Sequence, residues 1–205
     1  MASDSVLLVE GQDDKHVVSK LLYFHGLVDA YEVKDKDGIE NLLVSLPVEL
    51  RASDLKRLGI VVDADSPLKN RWDGVAQVLR THGYDQTPMV PAIGGTLIIA
   101  PRKPSVGIWL MPDNRSDGMI EDFAAMLIPA GDRLLPRVRI ALDSVPLEER
   151  RFAPSHYSKA AIHTWLAWQE EPGVKMGAAI TRKYLREDSP IAADFISWVR
   201  SLQVA

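Results

Sequence analysis

The chain has 205 residues, enough for one sizeable domain with its own core and too few for several. Hydrophobic residues at 46% and charged residues at 25% fit an ordinary globular protein and exclude the disordered and fibrous classes. The absence of cysteine removes disulfides, thiolate metal sites and a cysteine nucleophile, while a formal net charge of −4 disfavours indiscriminate polyanion binding and still leaves room for a local basic groove.

The opening MASDSVLLVE has no basic region and only a short apolar run, and no segment approaches the roughly 20 apolar residues of a membrane span. The expectation is an unexported, cytoplasmic protein. Val6 to Val9 predicts a short buried strand that breaks into Glu10, Gly11, Asp13 and Asp14, after which Val17, Leu21, Leu22 and Phe24 recur with helical spacing. Tyr31 to Val33 predicts a second strand, Gly38 to Leu46 and Ser53 to Arg57 predict helices, and Gly59 to Val62 predicts another buried strand. That strand also ends in acids, Asp63 and Asp65. Trp72, Val75, Ala76 and Leu79 give amphipathic spacing to a helix over 72–82. Such alternation predicts an α/β fold, Rossmann-like, with a mostly parallel sheet flanked by helices and ligands outside the carboxyl ends of the strands.

Ile93 to Ala100 and Val106 to Met111 predict two strands around the turn-like PRKPS, a hairpin or edge addition. Ser116 or Asp117 is placed to cap a helix over 119–127, and a further helix is predicted from Leu134 to Arg150. The remainder reads as helices over 159–171, 176–185 and 191–202, the last with Ser189 and Pro190 as N-cap and first residue. The chain thus divides into an α/β domain over 1–130 and a C-terminal helical extension packed on it over 131–205. No repeat interrupts it.

Glu10 ends one strand and Asp14 falls on the first turn of the helix that follows, so both can face one point. Asp63 and Asp65, one residue apart, share a side in extended geometry. Two acidic clusters at the ends of two parallel strands suit a hard cation such as Mg²⁺, which takes oxygen ligands, keeps several waters and leaves positions for substrate phosphate. Either cluster alone could equally be a solvated turn or a helix cap. Together they would repel unless a cation or proton lay between them.

Glu10-Gly11 after one apolar strand, and Asp63-Ala64-Asp65 after another about fifty residues later, resemble the Toprim domain of topoisomerases, bacterial primases and the OLD (overcoming lysogenization defect) nucleases. The spacing from Glu10 to Asp14 is closer to the OLD branch. MPDNRSDGMIEDF and KAAIHTWLAWQEEPG also resemble an uncharacterised family of stand-alone bacterial Toprim-like proteins. The resemblance implies a Toprim-like fold and a nuclease-like, Mg²⁺- or Mn²⁺-dependent hydrolase acting on DNA or RNA. It implies Glu10, Asp14, Asp63, Asp65 and Glu121 as metal ligands, with Ser116 and Asp117 as lesser matches for the late acid. Glu10, Asp63 and Asp65 would also serve catalysis, Glu10 as general acid or base, and Lys159 would offset charge on the phosphate. Two ions held about 3.5 to 4 Å apart can stabilise both the attacking and the leaving oxygens of an in-line displacement.

The chain departs from these relatives in several respects. It has no phosphate-binding G-x-x-x-x-G-K-[ST] loop, so an ATPase partner would be a separate chain. Its five tyrosines, Tyr23, Tyr31, Tyr84, Tyr157 and Tyr184, lack a topoisomerase context, and a primase's zinc-binding and polymerase regions do not fit. Asp113 and Asn114 could support the site or form a plain turn. The five histidines, His16, His25, His82, His156 and His163, show no metal-binding pairing. Trp165 and Trp168, with His163 nearby, could stack nucleobases or pack in a core or oligomer contact. Lys69, Arg71, Arg102 and Lys103 could flank a phosphate path or merely be solvated. Alternative functions are a non-catalytic module that binds metal or nucleic acid with a partner such as an ATPase, and an aspartyl-phosphate phosphatase, which would leave Glu10-Gly11 unexplained. A homo-oligomer is compatible with the sequence.

Overall fold

The computed structural model describes residues 4–205; the first three residues of the stretch read above for an export signal lie outside it. Five strands form one sheet: β1 (Ser5–Val9), β2 (Glu32–Asp35), β3 (Arg57–Asp63), β4 (Thr96–Ile98) and β5 (Ser105–Met111), in the order β2-β1-β3-β5-β4. β2, β1, β3 and β5 run parallel, and β4 pairs antiparallel with β5 at the edge. The expected α/β architecture with a mostly parallel, helix-flanked sheet is what the chain adopts.

The central strands β1, β3 and β5 are largely apolar because both faces are covered, yet a period of two sorts their residues, while the edge strand β2 is polar. Val6, Leu8, Leu58, Ile60, Val62, Ile108 and Leu110 pack with Leu42, Leu46, Trp72, Val75 and Leu79 from α2 (Ile39–Glu49) and α3 (Leu68–Thr81). Leu7, Val9, Val61, Trp109 and Met111 face the other way. There they meet α1 (Gln12–Phe24), α4 (Ile120–Met126), α6 (Tyr157–Ala167), α7 (Met176–Thr181) and α8 (Pro190–Gln203). This second apolar cluster runs unbroken from Leu7 to Leu202, so the late helices supply one face of the sheet. A further helix, α5 (Leu134–Ser144), contributes Val138 to it. No helix among the described residues is long and apolar enough to cross a membrane.

α8 sits close to the sheet for a local reason. Gly59 and Gly107 are cross-strand partners on β3 and β5, and the Trp198 indole and Leu202, with Leu7 of β1 beside Gly59, fill the groove left by their missing side chains. A Cβ on Gly107 would lie 2.9 Å from the indole. Ser189 caps the helix by accepting from the Ala192 N–H at 3.3 Å, with Pro190 at its first position, as the sequence predicts.

Several boundaries shift. Residues 53–56 form a turn rather than a helix, because Lys56 and Arg57 N–H groups donate to the Asp4 carbonyl and Arg57 already belongs to β3. The helix expected to reach Arg150 stops at Ser144, ahead of Pro146, which biases the residue before it toward extended backbone. Neither Ser116 nor Asp117 caps α4: its cap position is Met119, whose N–H donates to Asp122 at 2.9 Å. Asp117 serves α3 instead, accepting from Ser66 Oγ and the Leu68 N–H at 2.7 Å each.

Replacing Gly107 with Val should cost about 3 kcal/mol, because a branched side chain must displace the rigid Trp198 indole as well as a Leu202 methyl group. Urea denaturation followed by tryptophan fluorescence measures this. A loss under about 0.5 kcal/mol would mean that α8 is not seated on the sheet as described.

Candidate functional site

β1 and β3 are neighbours, but the helices that follow them leave on opposite faces: α1 covers one side of the sheet and α3 the other. Their carboxyl ends therefore border a crevice, the place where open α/β sheets hold ligands. Glu10 and Asp63 stand at its two lips. An open cleft of about 590 Å³ lies there, lined by Glu10, Asp13, Asp14, Asp37, Asp63, Asp65 and Glu121, with His156, Lys159 and Lys175 on its margin.

Each acid is positioned by backbone. Glu10 Oε1 accepts from the Asp63 N–H at 2.8 Å, joining the ends of β1 and β3. Asp63 Oδ1 accepts from the Ile120 N–H at 2.8 Å, so the β3 carboxylate holds the first turn of α4. That turn carries Glu121, which is only 2% exposed and meets Lys159 Nζ at 3.0 Å. Asp14 lies in the first turn of α1, 5% exposed, and its Oδ1 is buried without a hydrogen-bond partner among the described residues.

Burial and mutual repulsion set the charge state. Withdrawal from water, then the nearby Asp14, Glu10 and Glu121, push the Asp63 carboxyl up to about 9 against the partial relief of the Ile120 N–H. Withdrawal from water followed by Glu10 pushes Asp14 up to about 7. Glu10 is raised as well, again mainly by burial, with the Arg71 charge opposing. Lys159 moves upward through its bond to Glu121. Without a bound cation the cluster thus keeps protons at neutral pH that isolated carboxyls would lose.

The sequence-predicted acids Glu10, Asp14, Asp63, Asp65 and Glu121 all border this cleft, as does Lys159. Asp65 differs in detail. The chain is not extended there, since Asp65 has φ +54° and its backbone pairs with Gly118, N–H to carbonyl in both directions. Its side chain is consequently about half exposed and ion-paired with Arg71. Among the described residues no three acidic or imidazole side chains are drawn together closely enough to hold a metal ion. The donors nevertheless fit a divalent cation chemically: they are hard oxygens, the carboxyls lining the cleft outnumber the adjacent cations, and Asp14 Oδ1 has no partner among the described residues.

Other candidates fall elsewhere. Asn114 is buried and accepts from the Leu110 N–H at 2.8 Å, while Asp113 accepts from the N–H groups of Arg115 and Ser116, so both shape the loop after β5. Trp165 is a core residue donating to Asp132 at 3.0 Å; Trp168 is exposed, so the two do not form one stacking surface. Arg102 and Lys103 precede β5 and lie at the opposite end of the sheet from the acids. Lys69 pairs with Asp73 on the surface of α3. Asp13, from the acidic break after β1, and His156, one of the unpaired histidines, also border the cleft; Lys175 and Asp37 join them with no signal in the sequence, because isolated charged residues between elements carry no periodic pattern.

A family model covers nearly the whole chain, residues 4–203. The chain belongs to DUF3226, a family described as protein of unknown function. No curated protein and no solved structure matches it. The DUF3226 match takes in the strand-end acids as well as the helices bearing Lys159 and Trp198.

The raised carboxyls fix a sign for pH dependence. From about pH 4 the folded chain holds protons that the unfolded chain has released, on Asp14 up to about pH 7 and on Asp63 up to about pH 9, so stability falls as pH rises through this range. Asp63→Asn keeps an acceptor for the Ile120 N–H and removes the charge. In the presence of a chelator it should raise stability by about 2 kcal/mol at pH 8, and by less at pH 5. Urea titrations at the two pH values check this; equal effects would contradict the burial argument.

Proposed function

We propose that the cleft is the site of a Toprim-like, Mg²⁺- or Mn²⁺-dependent hydrolase that cleaves phosphodiester bonds in nucleic acid. The observation that carries this reading is the meeting of Glu10, Asp14, Asp63 and Glu121 where the loops after β1 and β3 diverge, with Lys159 on the rim. Their order along the chain and their places at strand ends support the Toprim likeness. Glu10, Asp14, Asp63, Asp65 and Glu121 would hold the cation, with Asp14 offering an oxygen that no protein donor uses. The bound ion would supply Lewis-acid stabilisation of phosphoryl oxygens and a lowered pKa for its water.

The chain's own groups do the remaining work. Glu10, steadied by the Asp63 N–H and raised above the usual carboxylate range by burial, is suited to take a proton from the attacking oxygen and return one to the leaving oxygen. Lys159, fixed by Glu121 and half exposed, can turn its ammonium toward charge gathering on the phosphate. Lys175 extends positive charge along the same margin, with the His156 ring beside it as a hydrogen-bonding group, a path for the phosphate backbone.

A second reading has one observation in its favour. Asp65 and Glu121 are each held by a cation of the chain, so a non-catalytic module, or one made active by a separate ATPase partner, would keep its acids apart as seen here.

Incubation of labelled single- and double-stranded DNA and RNA with the purified protein and Mg²⁺ or Mn²⁺ distinguishes the two. Cleavage should require the ion and disappear in Asp63→Asn, while Lys159→Met should lower kcat by about 10² to 10³ with little change in KM. Binding without cleavage by the protein alone would move the assignment to the module.

A further inference from the structure

Arg71 touches two of the proposed ligands at once. Its guanidinium pairs closely with Asp65 and lies 3.8 Å from Glu10 Oε1, and the side chain is only 12% exposed. Arg71 arises from the first turn of α3, whose start is fixed by Asp117 on the Leu68 N–H at 2.7 Å. The arginine is therefore held rather than loosely solvated. The acid cluster is divided as a result: Glu10 and Asp65 have a cation of the chain beside them, whereas Asp63 accepts a peptide N–H and Asp14 Oδ1 has no partner.

We propose that Arg71 is a built-in counter-cation that competes with the divalent ion for Glu10 and Asp65 and, once displaced, turns to bind a substrate phosphate. The inference rests on the metal-dependent reading of the cleft. A guanidinium keeps its charge at any ordinary pH, so Arg71 cannot yield by losing a proton and has to move. A place exists for it. Asp65 forms a shared wall between the acidic cleft and a smaller depression of about 260 Å³, which Arg71, Asn70, Ser66 and Gly74 also line. Apart from Asp65 that recess is lined by uncharged groups, so with Asp65 drawn to the ion the planar fork of donors is left facing a phosphate. Asp65, turned toward Arg71 by its left-handed backbone, follows the arginine outward and accounts for acids that stand apart.

Removing the arginine should then improve metal binding, the reverse of what loss of a structural contact does. Mn²⁺ binding at pH 8, measured by calorimetry and by the paramagnetic signal of free Mn²⁺, should tighten about tenfold in Arg71→Met. Lys69→Met removes a cation from the same helix that does not touch the cluster, and should stay within about twofold of wild type. The Mn²⁺-loaded Arg71→Met protein should also hold a single-stranded oligonucleotide about tenfold more weakly. Circular dichroism checks folding; if Arg71→Met unfolds, Arg71→Gln carries the same expectations with a side chain that can still bond Asp65. Wild-type binding of Mn²⁺ that is equal to or tighter than that of the folded Arg71 variants overturns the competition while leaving the metal-dependent reading in place. Unchanged oligonucleotide affinity overturns the phosphate role. Failure of wild type and variants alike to bind Mn²⁺ overturns the metal-dependent reading and the inference with it.

Discussion

Glu10, Asp14, Asp63 and Glu121 carry like charges into a space from which water is partly withdrawn, and the surrounding architecture holds them there against their repulsion. Three means of relief are visible. Peptide N–H groups bind Glu10 and Asp63, side-chain cations bind Glu10 and Glu121, and protons remain on Asp14 and Asp63 where neither is sufficient. The third means decides the balance. Asp63 already accepts a good hydrogen bond from Ile120, yet burial and three neighbouring carboxylates outweigh it and drive the group well upward. Such an arrangement is a poor way to stabilise a fold and a good way to prepare a binding site, since a ligand of opposite charge gains what the protein alone forgoes.

The strand order supplies the geometry for this. Parallel strands put Glu10 and Asp63 on the same sheet edge, and the departure of α1 and α3 to opposite faces keeps the crevice between them open. The loop after β5 completes the enclosure, with Asp65 and Gly118 paired through their backbones and Asp117 holding the start of α3. Lys159 comes from α6, in the layer built by the last quarter of the chain. Acids from early strands and a lysine from a late helix meet because one continuous apolar cluster binds both to the same face of the sheet.

The sheet and the acids were legible because both depend on short-range rules. Continuous apolar runs broken by Glu10-Gly11 and by Asp63 signal buried parallel strands with polar ends, and the helices show their spacing directly. What escaped depends on backbone turns or distant contacts. Nothing local reveals that Asp65 adopts φ +54° and thereby leaves the side shared with Asp63. Arg57 reads as helical because it is charged, while its pairing with Ser5 and Ser105 places it in β3. Arg102 and Lys103 resemble a phosphate path in composition, but the direction of β5 puts them at the wrong end. Trp165 and Trp168 differ in burial because Trp165 lies on the core side of α6, whereas Trp168 follows the helix end and is exposed.

The glycine pair at Gly59 and Gly107 has a bearing on the order of assembly. Because these residues leave the middle of the sheet bare until Trp198 and Leu202 arrive, β3 and β5 finish their packing only when α8 docks. A chain emerging from the ribosome amino end first would hold its acidic strand ends on an incomplete sheet until residues 190–203 were made. The middle of the sheet behind the charged cleft would therefore be among the last parts to be packed.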